Sequence, residues 1–347
     1  MAASDWLGTP PPDGGRRLAA WTLARMGAAL AEDAPFEARV VRTDDEGTHT
    51  VEVSGSSARL REAEGGDPRV AALFDPASLI RDIGTASARH GTALGRPCVV
   101  LDVVPHPVWA DPDSPWCPPG AASARLVVDT ATGFLLEAAT TRPGAPVSHA
   151  RVDGLAGPVP VPAPEGDGPF GTRGWRRPGP SEAEDAAWAL GRMAATLLEP
   201  LDATARVTVH SEAMGRIADD PEPVPEPGER RWTVTVERAG DGERTVAMGD
   251  DPDAHNSRFV IARLAEMLTP ARIVSHLRRV AVPPGPDGTT VTATVRPMRA
   301  FPLSFWAPDE DVECRFTVDP ATGVLTEAVA RLGDRELAHY GITSLRT

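Results

Sequence analysis

The chain has 347 residues, a formal net charge of −14 and a sequence pI near 5.1. A surface of that sign repels phosphate and anionic lipid, which argues against a nucleic-acid partner and against electrostatic docking to a membrane. Every basic residue is Arg and none is Lys, so Schiff-base, pyridoxal-phosphate and phosphate-loop lysine chemistry is excluded.

The length suits two domains. Residues 1–16 place Asp5 ahead of any basic residue and contain no apolar run. They read as a disordered segment without the layout of a secretory signal. No stretch is long and apolar enough to span a bilayer, and the expected location is cytoplasmic. Cys98, Cys117 and Cys314 fit a reducing compartment, and no Cys/His spacing suits zinc. No metal and no cofactor is expected.

Taken in chain order, the elements occur twice. AAWTLARM at 19–26 returns as AAWALGRM at 186–193, so Trp21, Arg25 and Met26 correspond to Trp188, Arg192 and Met193. Apolar positions three and four apart make each a helix, and the tryptophans read as core anchors. HTVEV at 49–53 matches WTVTV at 232–236, both alternating as strands do. PRVAALFDPASLI at 68–80 matches ARLAEMLTPARIV at 262–274. Here Asp75 and Thr269 read as N-caps, each followed by proline at the first helical position. The apolar run at 98–104 ends at Pro105 and has its counterpart at 291–295. VDTATGFLLEA from Val128 and VDPATGVLTEA from Val318 are hairpins. In each, Asp129 or Asp319 caps turn amides and Gly133 or Gly323 supplies a positive φ. VSHARVDGL at 147–155 aligns with LAHYGITSL at 337–345. The order of matches predicts a tandem duplication. Repeat 1 covers 17–155, a proline-rich linker 156–181, and repeat 2 182–347. Each repeat is expected to be an α+β unit, a curved antiparallel half-barrel with covering helices. A second acidic, proline-rich loop at 218–229 should be exposed and mobile.

GRPCVVLDVVPHP, then Trp109, then LVVDTATGFLLEA and PVSHARVDGL, resembles the lipoprotein-carrier superfamily that includes LolA, RseB and LppX, in its actinobacterial form. The resemblance implies an open half-barrel around an apolar cavity that holds an acyl chain or similar ligand. Repeat 2 departs from it, with Asp287-Gly288-Thr289 in place of Gly-Arg-Pro.

GxSxG, HExxH, GxGxxG and paired carboxylates at helical spacing are all missing, so no catalytic residue is assigned. His149 and His339 hold equivalent places and read as half-buried strand histidines, neither in a fixed sequence motif with a carboxylate or nucleophile. Cys98 reads as apolar filler and Cys117 as a candidate exposed thiol. Aromatic residues near the hairpins, Trp109 and Trp116 in repeat 1 and Phe301, Phe305 and Trp306 in repeat 2, are the candidate ligand-binding residues. The expected function is non-enzymatic binding of a hydrophobic, lipid-like small molecule or an acylated partner. Two alternatives are a protein-interaction module acting through the sheets or their edges, and a cavity-shaping enzyme of specialised metabolism.

Overall fold

The computed structural model describes residues 14–45, 47–62, 66–107, 110–144, 147–156, 180–199, 201–211, 231–238, 244–248, 258–281, 290–295 and 312–347. The expected N-terminal segment up to residue 13, most of the linker and the 218–229 loop lie outside these residues. The first half runs α1 (Gly15–Glu32), β1 (Phe36–Asp44), β2 (Gly47–Gly55), α2 (Ser57–Glu62), α3 (Pro68–Phe74), a 3-10 turn (Pro76–Asp82), β3 (Ile83–Ala93), β4 (Arg96–Pro105), β5 (Ser123–Asp129), β6 (Leu135–Thr141) and β7 (Ser148–Ala156). The second runs α4 (Pro180–Ala195), β8 (Ala203–Ser211), β9 (Arg231–Arg238), β10 (Arg244–Met248), α5 (Arg258–Leu268), α6 (Ala271–His276), β11 (Leu277–Ala281), β12 (Thr290–Val295), β13 (Glu313–Val318), β14 (Leu325–Leu332) and β15 (Arg335–Arg346).

Each half forms one open antiparallel sheet, and neither closes into a barrel. The orders are β2-β1-β7-β6-β5-β4-β3 and β10-β9-β8-β15-β14-β13-β12-β11. Apart from β10 the orders coincide strand for strand. Register coincides too: Ala38, Arg39 and Val40 face Val53, Glu52 and Val51, as Ala205, Arg206 and Val207 face Val236, Thr235 and Val234. The β5–β6 ladder slips between Val127 and Val128, and β13–β14 between Thr317 and Val318. Bulges re-aim strands at defined points, so a shared slip is a shared shape.

The repeated motifs meet in space. In the first hairpin the Asp129 amide donates to the Phe134 carbonyl (2.8 Å), and Thr132 Oγ1 donates to Asp129 Oδ2 (2.7 Å). In the second, the Asp319 amide donates to the Val324 carbonyl (2.8 Å) and Thr322 Oγ1 to Asp319 Oδ2 (2.5 Å). Both glycines have φ +77°. A Cβ on Gly133 would lie 2.3 Å from the Arg25 carbonyl oxygen, and one on Gly323 2.6 Å from that of Arg192. The helix returns the contact. Arg25 Nη2 donates to the Ala131 carbonyl (2.7 Å) and Arg192 Nη2 to the Ala321 carbonyl (3.0 Å). Each arginine is also paired with the glutamate seven residues on, Arg25 with Glu32 (2.8 Å) and Arg192 with Glu199 (3.3 Å). Helix motif and hairpin motif are thus two sides of one joint, made twice.

The Gly-Arg-Pro of the first half belongs to the same joint. Leu94 (φ +50°) and Gly95 (φ +70°) turn the chain between β3 and β4. Arg96 Nη2 then reaches Asp129 Oδ2 at 2.8 Å, and the Pro97 carbonyl accepts from the Thr130 amide (3.2 Å). Asp129 is fully buried and needs that counter-charge. Asp319 is half-buried, so a buried counter-charge is less needed there.

α1 is buried on every side from Leu18 to Ala31, because it packs on α4 as well as on β3 and the 3-10 turn. A helix apolar all round belongs in an interior. The two helices come together at Gly27, whose added Cβ would lie 2.8 Å from Ala194 Cβ. Ala194 is the residue equivalent to Gly27 in the repeat alignment. The 3-10 turn likewise packs on its counterpart α6. One apolar core therefore runs through both halves, with like elements meeting like. Trp188 lies in that core, and Trp21 joins Leu18 and Val99 in an adjoining cluster.

The expected start at Asp75-Pro76 begins a 3-10 turn, and a further helix, α3, precedes it. α3 starts at Asp67, whose carboxylate accepts the Arg69 amide (2.9 Å), with Pro68 at its first position. Asp75 makes no side-chain cap bond, and its carbonyl instead takes the Ser78 hydroxyl (2.6 Å). In the second half Pro270, not Thr269, stands at the start of α6.

Candidate binding surface

Of the five candidate aromatics, Trp109, Phe301, Phe305 and Trp306 lie outside the described residues. Trp116 is fully buried in the main core. Its indole N–H donates to the Arg69 carbonyl (3.0 Å), and its own carbonyl accepts from Thr140 Oγ1 (2.5 Å). In the same core Phe36 stacks on Phe74 at 4.0 Å between centroids, and Phe134 meets both edge-on. These four aromatic side chains are buried in the core of the first half.

The loop carrying Trp116 is tied down by a buried acid. Asp82 accepts from Ser114 Oγ (2.6 Å), the Asp111 amide (2.8 Å) and Arg81 Nε (3.1 Å). Arg81 also pairs with Asp111. Burial pushes the Asp82 carboxyl up to about 6, against the pull of Ser114 and Arg81. Cys117 lies in the same loop, fully buried and not exposed as its proline neighbours suggested. Burial, with Asp82 nearby, drives its thiol well above the ordinary range. Cys314 is pushed up to about 12 in the same way, and burial also raises Cys98. A nucleophilic cysteine needs the reverse shift.

The paired histidines do have carboxylate partners, which the sequence did not reveal. His149 Nε2 lies 3.3 Å from Glu137 and His339 Nε2 3.1 Å from Glu327. In each case the glutamate comes from the strand before, at equivalent positions. Such a contact within a ladder joins neighbouring strands. Among the described residues, no group of three or more His, Cys, Asp or Glu side chains is placed to hold a metal ion. No helix among them is long and apolar enough to cross a membrane.

The halves differ most at one edge. In the second half the chain folds back after β9, and β10 pairs with it antiparallel, Met248 facing Val234 and Val246 facing Val236. In the first half the chain leaves β2 for α2, which Ser57 anchors by donating its buried hydroxyl to the Phe74 carbonyl (2.6 Å). Among the described residues β2 is therefore the sheet edge, where β9 has a neighbour. Thr48, His49, Thr50, Glu52 and Ser54 are exposed, and Val51 and Val53 are half-buried. The sequence carries a signal for this edge: HTVEV and WTVTV differ inside the strand by Glu52 against Thr235.

No family model matches the chain, and no curated protein matches it. Among solved structures it is similar to a chain of the crystal structure of MucB in complex with MucA(peri), at 13% identity and TM-score 0.24 over 99% of this chain and 98% of that one. It is also similar to a chain of the Pseudomonas aeruginosa MucA/MucB complex, at 11% identity and TM-score 0.25 over 94% of this chain and 98% of that one.

Proposed function

We propose that this chain is a non-enzymatic binding protein that engages another protein from outside, through its sheets and their edges. It descends, on this reading, from the duplication of one α+β unit of the lipoprotein-carrier kind. The duplication is supported by the shared strand order, the shared register slip and the helix–hairpin joint built twice. The observation that carries the functional reading is the use of the interior. α1 and α4 lie there against each other, and Trp116, Phe36, Phe74 and Phe134 are buried in the core of the first half. An acyl ligand would have to displace packed side chains, whereas an open edge offers unpaired backbone donors and acceptors. The lipid-cargo reading rests on the resemblance to the lipoprotein carriers and on the aromatic residues named from the sequence; of these, Trp116 lies among the described residues, and its indole N–H and carbonyl are bonded within the chain.

Titration of the full chain with a fluorescent fatty acid separates the two readings, with native mass spectrometry of the freshly purified protein. No saturable site and no extractable lipid are expected. A stoichiometric acyl ligand would overturn the proposal in favour of a carrier.

A further inference from the structure

We infer that β2 is a docking edge for an extended, basic peptide segment of a partner, which adds to the first sheet as β10 adds to the second. This rests on the interaction reading and names the surface and the chemistry of its occupant.

The second half shows that the edge can take a strand. β10 covers Val234 to Arg238 of β9, and the repeat alignment places Val51 to Gly55 of β2 at the same positions. Pairing of β1 with β2 has the same register as pairing of β8 with β9, so the open side of β2 presents its backbone as β9 does to β10. An added antiparallel strand would lie about 4.8 Å away and continue the ladder.

Charge selects the occupant. Across the outer face runs a row of alternating sign: Glu52 on β2 faces Arg39 on β1, and Arg39 Nη2 is 3.1 Å from Asp153 on β7. The next position in that row, opposite Glu52, calls for a cation. On the other face Val51 and Val53 are half-buried, and Val53 packs against the core. Residues opposite them are covered best by apolar, β-branched side chains. The favoured segment is thus apolar–basic–apolar in extended form. β2 itself reads Val51-Glu52-Val53, acidic at its centre, and the chain carries a net charge of −14. Both disfavour a second copy as the occupant.

The test uses the full chain and short acetylated peptides that alternate Val and Thr around a central Arg or a central Glu. Binding is read by anisotropy, and its location by protection of amides from hydrogen exchange. The Arg peptide should bind roughly tenfold more tightly than the Glu peptide and protect residues 47–55. In a Glu52→Arg variant, changed at an exposed position, the preference should reverse. Equal binding of both peptides, or an unchanged preference in the variant, would overturn the assignment. Protection at β3 or β11 instead would overturn the choice of edge while leaving the interaction reading in place. Failure of both peptides together with a saturable fatty-acid site would remove both.

Discussion

Gly133 offers the sharpest test of the helix–hairpin joint, because the structure supplies its own control. Gly133 and Gly144 have nearly the same φ, +77° and +73°. A Cβ on Gly144 meets nothing within 4 Å, whereas one on Gly133 would lie 2.3 Å from the Arg25 carbonyl oxygen and 3.3 Å from Ala29 Cβ. Replacing either with alanine places an L side chain in the left-handed region, at a cost of about 1–2 kcal/mol. Gly144→Ala should cost that and little more. Gly133→Ala must also push the hairpin away from α1, against helix backbone that has no rotamer to change. The movement breaks the 2.7 Å bond from Arg25 to the Ala131 carbonyl, a charged donor whose loss costs about 1.5–3 kcal/mol. The expected total is roughly 3–5 kcal/mol, the sum of those two ranges. Urea denaturation followed by tryptophan fluorescence gives both values from midpoints at constant slope. Equal losses at the two glycines would mean that the close approach contributes nothing and that the motif is turn chemistry alone.

Four further outcomes are expected. Trp21→Ala and Trp188→Ala, 4% and 6% exposed in the native protein, should each cost about 3–5 kcal/mol in the same denaturation assay. Arg96→Ala leaves the fully buried Asp129 without its counter-charge and should cost about 3 kcal/mol, while Arg315→Ala at an exposed pair with Glu327 should cost under about 1 kcal/mol. Gly27→Ala should destabilise despite a helix-propensity gain of about 1 kcal/mol, because its Cβ would meet Ala194 at 2.8 Å; a net gain in midpoint would refute the close crossing. Asp82 has a folded pKa of about 6 against 3.8 for the free side chain. Its contribution is therefore full below about pH 4 and is lost as pH rises through 6. The loss amounts to roughly 3 kcal/mol, and Asp82→Asn should flatten that part of a stability-against-pH curve.

The paired motifs were legible because the same local chemistry was written twice. Asp-x-Ala-Thr-Gly announced its turn through Asp129 and Gly133, and the alternation at 49–53 announced a strand. What these motifs touch was not legible. Arg25 and Gly133 are far apart in the chain, and no periodicity says that a helix backbone approaches a hairpin glycine. The helix α3 was missed because Asp75-Pro76 reads as the first start of this region, while α3 has a cap of its own, Asp67-Pro68, eight residues earlier. Cys117 was misread because prolines around it suggest a surface loop, and the groups that hold that loop inside, Asp82, the Arg69 carbonyl and Thr140, come from other elements. The glutamate partners of His149 and His339 come from a neighbouring strand, and register is a property of the folded sheet. The β2 edge was half visible, in the substitution of Glu52 for Thr235, but its meaning required knowing that β9 has a neighbour on its open side.

Comparison of the halves separates structure from function within a single chain. Whatever both halves keep is sufficient to explain the fold: the tryptophan-bearing helix, the arginine bound to a hairpin carbonyl, the glycine against that arginine's backbone, and the register of the central strands. Like elements also meet at the centre, α1 on α4 and the 3-10 turn on α6, an arrangement that buries each helix more fully than its own sheet could. A feature present in only one half is therefore not demanded by the architecture. The capped edge at β10 and the open edge at β2 are such a pair. The second half shows that the sheet tolerates an added strand, and the first shows that it folds without one. Exposed edges are hazards that chains usually blunt with short length, charge or a covering element. β2 is nine residues long, has no second neighbouring strand among the described residues, and carries one acid, Glu52, at its centre. That acid deters pairing with acidic copies of the chain and favours a basic segment, so the same residue that protects the edge also selects what joins it.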